Sequence, residues 1–404
     1  MRIALTANGP GEVAGWVRPL LRAVYARAPE TEAHVFLVPD DYATGFEAKT
    51  VRALFPQAGV YDPKTYVRFA LGRDVPAVPD RVDVVQYTGG DLLHAARLHA
   101  RLKGRAATYK FSRRRYRDTF DRAYAVDDAN VEQLRGWGTP AERIETVGNL
   151  AIDGALLEAQ SPPEPDAPED GILIMPGARP HEVAHLFPLF FTAALKILQE
   201  RPKLPIAFGL SPFTAPEQVR VAIERGGDPR VFAQRGRVVH SGDRWYLESL
   251  DGRYRIPVLF RSLPAARRAR MVLTIPGTKT IELAALGKPA VAVTPFNAPE
   301  LVAVNGPLTY LDRVPLVGIP LKRSVAMAVA KRFQFHTQPN MDAGEMLIHE
   351  LHGTVTPGRI ARVALERYDD AAWVAGTAAR LDRLYRDHEG AADRMAASLL
   401  ALGG

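Results

Sequence analysis

Short apolar runs alternate with helical stretches throughout the first half of the chain. The apolar runs predict strands at Arg2–Ala7, His34–Val38, Val82–Tyr87, Arg122–Val126 and Ile144–Val147. Helices are predicted at Val13–Ala28, Asp91–Lys103 and Asp128–Gly136. Strands that alternate with helices in this way indicate a parallel sheet covered on both faces.

The same pattern restarts at Gly171, after a segment rich in proline and acid, Ser161–Asp170, that has no periodicity. Further strands are predicted at Gly171–Met175, Pro205–Phe208, Val258–Phe260, Met271–Ile275 and Ala290–Val293. Between Arg237 and Ile256, Asp251-Gly252 separates alternating runs, which indicates a β-hairpin inserted into the second domain. From Lys322 onward the chain is predicted to be helical to its end.

These patterns divide the chain into four parts. Residues 1–160 form a first α/β domain, 161–170 a linker, 171–340 a second α/β domain, and 341–404 a set of C-terminal helices. The length of 404 residues suits two domains, since a domain has about 100–200 residues.

The composition narrows the class of protein. The chain is 47% hydrophobic and 24% charged, as in ordinary soluble proteins. It has no cysteine, which excludes disulfides, thiolate metal sites and cysteine nucleophiles. No run reaches the roughly 18 apolar residues of a membrane helix, and the N-terminus lacks a signal-peptide core. We therefore expect a cytoplasmic protein.

Two strand-to-helix turns contain a Pro-Gly pair, at Gly177 and at Gly277. A glycine turn at a helix start leaves unpaired backbone N–H groups where the helix dipole is positive, a suitable place for a diphosphate. Arg179 follows the first turn and adds positive charge. Thr278, Thr280 and Glu282 follow the second; their hydroxyls add donors, and the carboxylate can accept hydrogen bonds from a ribose. Two such turns suggest a nucleotide-sugar site.

The first domain offers two carboxylates at the same edge of its predicted sheet. Glu12 follows Asn8-Gly9-Pro10-Gly11, and Asp91 follows Gly89-Gly90. The carboxyl edge of an open parallel sheet is where ligands bind, so Asp91 is our first candidate for a general base and Glu12 the second. Asp91 is equally suited to cap the following helix.

The net charge of +7 is concentrated in one segment. Between Arg101 and Arg122 lie nine lysines and arginines against two acids. This segment suits a solvated face, an anionic membrane surface, a phosphorylated acceptor or nucleic acid, and basic residues alone do not separate these. The candidates for an acceptor or membrane contact are Arg113, Arg114, Arg115 and Arg117.

His181-Glu182-Val183-Ala184-His185 matches the zinc-peptidase pattern. We expect no zinc there, because the face of His185 continues through Pro188 and Thr192 and is predicted to be polar and to point outward. His349-Glu350-Leu351-His352 has the wrong spacing for the same chemistry. No metal site is predicted.

Six segments resemble motifs of the lipid-A-disaccharide synthase family, in the same order along the chain. In the first half, Gly11–Gly15 resembles Gly-Glu-Ala-Ser-Gly, Gly89-Gly90-Asp91 stands where the family has Ala-Pro-Asp, and Val147-Gly148-Asn149 resembles Val-Gly-His. In the second half, Pro176–Glu182 resembles Pro-Gly-Ser-Arg followed by Glu, Pro276–Glu282 resembles Ser-Gly-Thr-Ala-Thr-Leu-Glu, and Pro339–Glu350 resembles Leu-Pro-Asn…Ala-Gly…Glu.

The resemblance implies the GT-B fold, in which two Rossmann-like, doubly wound α/β domains face each other across a cleft, with C-terminal helices. It implies an inverting transfer of a hexosyl group, such as an N-acyl-glucosaminyl group, from a UDP-sugar to a lipid-linked acceptor, without a cofactor. The first domain would bind the acceptor and the second the donor. UDP would contact Gly177, Arg179, Gly277, Thr278, Thr280, Glu282 and Asn340.

Three departures from the family pattern lie in the first domain. Trp16 and Thr88 replace aspartates, and the basic run Tyr109–Arg117 replaces an aromatic stretch. The second domain, which would bind the donor, matches the family motifs more closely. We therefore predict a glycosyltransferase of this type, cytoplasmic or peripheral on the inner membrane face, with no nucleic-acid partner and with the choice between monomer and homodimer open. The alternatives are a UDP-N-acetylglucosamine 2-epimerase of the same fold, a zinc peptidase, and a basic membrane- or nucleic-acid-binding module without catalysis.

Overall fold

The computed structural model describes residues 1–40, 43–211, 214–227, 229–297 and 334–404. The chain forms two compact units, Met1–Leu157 with Tyr385–Gly404, and Glu158–Leu384. The end of the chain thus belongs to the first unit, whereas the sequence suggested one separate set of helices over 341–404. Residues 322–333 of the stretch predicted to be helical lie outside the described residues.

The first unit contains a seven-stranded sheet in the order β3-β2-β1-β4-β5-β6-β7. All its neighbouring strands are parallel. The strands are β1 Arg2–Ala7, β2 Glu32–Leu37, β3 Gly59–Tyr61, β4 Val84–Tyr87, β5 Arg105–Tyr109, β6 Arg122–Ala125 and β7 Ile144–Thr146. Strand β5 falls inside the basic segment, so part of that segment lies in the sheet. Apolar runs at β1 and β4 are buried on both faces, as expected for central parallel strands.

The second unit contains an eight-stranded sheet in the order β10-β11-β12-β9-β8-β13-β14-β15. Its strands are β8 Ile172–Met175, β9 Ile206–Gly209, β10 Gly236–Ser241, β11 Arg244–Ser249, β12 Arg255–Leu259, β13 Met271–Thr274, β14 Ala290–Pro295 and β15 His349–Gly353. The predicted GT-B-type fold class, with two Rossmann-like sheets, is confirmed.

Two local predictions in the second unit need correction. The predicted inserted hairpin is a three-stranded antiparallel meander, β10-β11-β12, that extends the sheet beyond β9. Its turns contain Gly242 and Gly252, whose positive φ angles of 59° and 70° suit tight hairpin turns. The chain after Lys322 is also not helical throughout, because His349–Gly353 forms the parallel edge strand β15.

Helices cover these sheets. In chain order they are α1 Pro10–Glu12, α2 Arg18–Arg27, α3 Glu47–Leu54, α4 Pro63–Ala70, α5 Leu92–Leu102, α6 Asp128–Gly136, α7 Leu150–Ala159, α8 Pro180–Glu200, α9 Pro216–Arg225, α10 Ser262–Arg268, α11 Thr278–Ala285, α12 Gln338–Ala343, α13 Pro357–Asp369, α14 Ala371–Tyr385 and α15 Ala391–Gly403. A π-helical stretch, Val13–Val17, joins α1 to α2, where a single helix was expected.

Helix α8 is the centre of the second core. Phe187, Phe190 and Phe191 are fully buried against the sheet. The face predicted to be polar and exposed is also buried at Pro188 and Thr192. The buried Thr192 hydroxyl is satisfied there, because it donates to the Pro188 carbonyl at 2.8 Å. Within the described residues, α8 is long and apolar enough to cross a membrane, but 72% of its most apolar window is buried in the protein. Its apolar character is therefore explained by the core.

Candidate functional site

The strand order of the second unit places both predicted glycine turns at one point of the sheet. From β8 the chain proceeds to β9 on one side, and β13 lies on the other side of β8. The turn after β8 contains Gly177, and the turn after β13 contains Gly277. Thr274, which ends β13, pairs in register with Met175, which ends β8. The two turns are therefore neighbours at a topological switch point, where open α/β sheets bind ligands.

The turn at Gly277 is open. Gly277 and Thr278 are exposed, and a Cβ atom added to Gly277 would meet no atom within 4 Å. Gly277 has a φ of 141°, which side chains rarely adopt. No side chain caps α11, which starts at Thr278. The Thr280 N–H donates to the Gly277 carbonyl at 3.0 Å, while the N–H groups before it receive no side-chain cap. This arrangement leaves donors and space for an anion.

The turn at Gly177 is closed. The Glu182 carboxylate accepts hydrogen bonds at 3.0 Å from the backbone N–H groups of Ala178 and Arg179. A Cβ atom at Gly177 would lie 2.5 Å from that carboxylate. The guanidinium of Arg179 lies 3.7 Å from the other oxygen of Glu182. A phosphate at this turn would have to displace a carboxylate of the same charge, so the two predicted phosphate turns are not equivalent.

Closure of the Gly177 turn also bears on the zinc-peptidase pattern. In that pattern the glutamate activates water, but here the Glu182 carboxylate lies at the first turn of α8 and binds backbone N–H groups. Glu182 is therefore engaged by the backbone at the start of α8, and the expectation of no zinc at this motif stays a prediction.

Glu282 lies one turn into α11 and is buried. Its carboxylate accepts a hydrogen bond of 2.6 Å from the ammonium of Lys279. Burial opposes the charge of Lys279, but the charges of Glu282 and Glu158 and the Glu282 hydrogen bond outweigh it and raise the pKa of Lys279. The Thr280 hydroxyl donates to the Gly277 carbonyl at 2.7 Å and so braces the turn from inside. Thr278 is thus the hydroxyl at the open surface of the turn.

Asn340, predicted to contact UDP, is fully buried with its side-chain amide saturated. Its oxygen accepts from the N–H groups of Leu347 and Ile348, each at 2.8 Å. Its nitrogen donates to the Ile348 carbonyl at 2.8 Å and to Glu350 at 2.7 Å. An amide has two donors and two acceptor sites, so we leave Asn340 out of the candidate site and assign it to the packing of α12.

The first unit has its own switch point, between β1 and β4. The turns that follow these strands touch, because a Cβ atom at Gly89 would lie 2.7 Å from the Asn8 side-chain oxygen and 2.9 Å from Glu12 Cγ. The Asn8 oxygen is buried and has no hydrogen-bond partner among the described residues. Sequence reasoning did not single out Asn8, whose position directly after β1 was the available signal. An unmet acceptor beside Glu12 is suited to a polar ligand.

Asp91, the first candidate for the general base, caps helix α5. One carboxylate oxygen accepts from the Leu93 N–H at 2.8 Å, and the other lies 3.2 Å from the guanidinium of Arg113. Burial raises the pKa of the neighbouring Tyr87, and the charges of Glu12 and Asp91 raise it further. The Tyr87 hydroxyl donates to the Gly90 carbonyl at 2.8 Å, and the phenol stays protonated at neutral pH. Asp91 therefore fills the capping role, and its role as a base stays a prediction.

The four arginines of the basic segment have mostly local partners. Arg113 pairs with Asp91, and Arg117 with Asp118 at 3.2 Å. Arg115 lies over the ring of Tyr116, 4.4 Å from its centroid. Arg114 is exposed. Since Asp91 itself binds Arg113, part of the positive charge is already balanced at the sheet edge.

Two of the departures from the family pattern contact each other. The Trp16 ring lies 5.4 Å from the Tyr109 ring and 6.5 Å from the Phe111 ring, and Phe111 stacks on Trp137 at 6.4 Å. Trp16 belongs to the π-helical stretch that follows Glu12, and π-helical turns are frequent at functional sites. Trp16, Tyr109, Phe111 and Trp137 therefore form one cluster of aromatic rings in the first unit.

No protein-family model and no curated protein sequence matches the chain. Among solved structures, the Staphylococcus aureus MnaA–UDP structure matches with a TM-score of 0.60 and 13% identity, covering 99% of this chain and 97% of that one. The Neisseria meningitidis UDP-GlcNAc 2-epimerase bound to UDP-GlcNAc matches at 0.56 and 12%, covering 99% and 100%. The glycosyltransferase of kitacinnamycin matches at 0.52 and 14%, covering 99% and 98%. At these identities the likeness establishes the fold.

The neighbours correct the main functional prediction. Four of the solved structures carry the name UDP-GlcNAc 2-epimerase, with TM-scores from 0.56 to 0.60. The predicted hexosyl transfer to a lipid-linked acceptor, as in lipid-A-disaccharide synthase, is therefore wrong, and the alternative of a 2-epimerase-like enzyme agrees better. The expectation of an enzyme that handles a UDP-sugar agrees with these neighbours. They give no support to a lipid acceptor, a membrane surface or a homodimer.

Proposed function

We propose that this protein is an enzyme that acts on a UDP-sugar and binds the diphosphate at the open turn of Gly277. The observation that carries this proposal is the exposed, uncapped start of α11 at the switch point between β8 and β13. Backbone N–H groups and the positive end of a helix stabilise an anion there without a metal ion. The space in front of Gly277 allows the close backbone approach that a diphosphate needs.

The neighbouring carboxylate supports a nucleoside diphosphate over a free phosphate. Glu282 is four residues beyond the first residue of α11 and therefore lies about one helical turn deeper than the diphosphate donors. A carboxylate at this depth can accept two hydrogen bonds from a ribose. In the structure without a ligand, Glu282 accepts a hydrogen bond of 2.6 Å from Lys279, which a ribose hydroxyl would share or replace.

We further propose that the reaction is epimerisation at C2 of the sugar. Its support is the similarity over 99% of the chain to 2-epimerases, including one bound to UDP-GlcNAc. Inversion at C2 removes a hydrogen from carbon on one face and returns one on the other, so it requires groups that accept and donate protons.

Incubation with UDP-GlcNAc in D2O tests this proposal. We expect proton NMR and mass spectrometry to show the C2 epimer, with deuterium incorporated at C2 of substrate and product. The Gly277→Ala variant, incubated in parallel, should lose most of this exchange. If UDP binds the protein but UDP-GlcNAc remains unchanged and free of deuterium, the epimerase assignment is overturned. The proposed UDP site at Gly277 is then unaffected.

A further inference from the structure

A second group of side chains able to bind a ligand lies in the second unit, beside β15, the outermost strand of its sheet. One ligand atom each from His336, Glu350 and His352 lie within 4.8 Å of one another. The rings of the two histidines have centroids 5.4 Å apart. Phe296 packs against both rings, at 5.9 Å from His336 and 6.0 Å from His352. We propose that His336, Glu350 and His352 bind one divalent transition-metal ion of the zinc type.

The carboxylate of this group is held in a fixed orientation. One oxygen of Glu350 accepts from the N–H and hydroxyl of Thr337 and from Asn340, at 2.7 to 2.9 Å. The other oxygen accepts at 2.8 Å from the His336 N–H. Such outer hydrogen bonds orient metal ligands and are part of a metal site. An oxygen with one donor keeps a second lone pair, so the less occupied oxygen retains the capacity to bind an ion.

The two imidazoles complete a set of ligands that zinc uses elsewhere. Two histidines and one glutamate, with a water in the fourth position, form a known type of zinc site. Imidazole favours zinc, copper, iron or nickel over magnesium and calcium, which prefer oxygen ligands. Tetrahedral ligands about 2.1 Å from an ion are about 3.4 Å apart. His352 is exposed and His336 partly exposed, so small ring rotations can close the observed separations.

The backbone explains why the group forms. His352 and Glu350 are two residues apart on strand β15, so their side chains share one face. Glu350 is in register with Ala292, which is in register with Thr274 at the end of β13. The group therefore lies at the same sheet edge as the Gly277 turn, two strands away. An ion would tie the chain at His336 to β15.

Sequence reasoning missed this site because it assumed a helix over the last part of the chain. On a helix, His349 and His352 in His349-Glu350-Leu351-His352 have the wrong spacing. On a strand, Glu350 and His352 are the pair that share one face, and the third ligand, His336, lies outside the strand. The absence of cysteine excludes thiolate metal sites but does not exclude a site built from histidine and glutamate.

Metal titration of the full chain tests the proposal. Protein freed of metal by a chelator is titrated with Zn2+ in a calorimeter and with Co2+ in a spectrophotometer. We expect one equivalent to bind and to give the absorption of four-coordinate cobalt. His336→Ala and His352→Ala should each weaken binding by at least the roughly 10–100-fold that loss of an outer-shell partner costs. Thermal denaturation without metal shows whether each variant is folded.

Two histidine variants serve as controls. His240→Ala removes an exposed histidine of the same unit, outside the group. His185→Ala removes a histidine of the zinc-peptidase pattern. Both should bind metal like the parent. The proposal is overturned if the parent binds no metal, if binding survives in folded His352→Ala, or if His185→Ala is the variant that loses it.

Discussion

The turns at Gly177 and Gly277 have the same sequence pattern and opposite structures. In each, a glutamate follows the glycine by five residues, at Glu182 and Glu282. Helix α8 starts three residues after its glycine, so Glu182 is at the third helical position and reaches back to the turn. Helix α11 starts directly after its glycine, so Glu282 is at the fifth position and lies away from the turn. The point at which the helix starts decides which turn stays open.

Alanine at each glycine gives the largest contrast. Gly177→Ala should destabilise the fold by about 2–4 kcal/mol, the sum of backbone strain of about 1–3 kcal/mol and a lost cap of about 1 kcal/mol. Gly277→Ala should cost only the strain, but its methyl group would stand where the diphosphate binds and should reduce UDP affinity by about 10-fold or more. Chemical denaturation and calorimetric titration measure both quantities. Loss of UDP binding in a Gly177→Ala variant that is still folded would contradict the assignment of the diphosphate to the Gly277 turn.

The two glutamates give the next contrast. Glu282→Gln should weaken UDP binding by about 10–150-fold, since a hydrogen bond to a charged group contributes about 1.5–3 kcal/mol. Glu182→Gln should instead weaken the start of α8 by about 0.5–2 kcal/mol and leave UDP affinity nearly unchanged. Titration with UDP separates these effects, and titration with ADP is the control for recognition of the nucleobase. If Glu282→Gln binds UDP as tightly as the parent, Glu282 does not contact the nucleotide and only pairs with Lys279.

Much of the fold could be predicted because buried parallel strands are short apolar runs. Strand β1 at Arg2–Ala7 and helix α6 at Asp128–Gly136 have the predicted bounds. Strand β15 was missed because His349-Glu350-Leu351-His352 has no continuous apolar run and lies between helices. Strand β5 was missed because its first residue, Arg105, belongs to a segment dominated by charge.

The candidate site could be predicted less completely, because its details depend on rotamers and helix starts. The sequence places Gly277, Thr278 and Glu282 together, since they are neighbours along one turn. It does not show that Glu182 closes the Gly177 turn. It also does not show that the amide of Asn340 is saturated by Leu347, Ile348 and Glu350, because these bonds require the folded loop.

Substitutions in the basic segment should have the smallest effect on the affinity for UDP. Replacement of Arg113, Arg114, Arg115 and Arg117 by glutamine should change UDP affinity by less than about 2-fold, since separate sites rarely couple by more than about 0.5 kcal/mol. Exposed ion pairs contribute about 0–1 kcal/mol each, so stability should fall slightly. Sedimentation with anionic vesicles tests the membrane contact that the sequence suggests, at about 1 kcal/mol per charge. A loss of UDP binding would place the nucleotide near these arginines instead.

A crystal structure of the complex with UDP tests the central claim most directly. We predict diphosphate oxygens at about 2.7–3.2 Å from the backbone N–H groups of Thr278 and Lys279, with the ribose hydroxyls on Glu282. The Gly177 turn should remain closed by Glu182. A diphosphate at the Gly177 turn with Glu182 displaced, or one beside Asn8 and Gly89 in the first unit, would contradict the account.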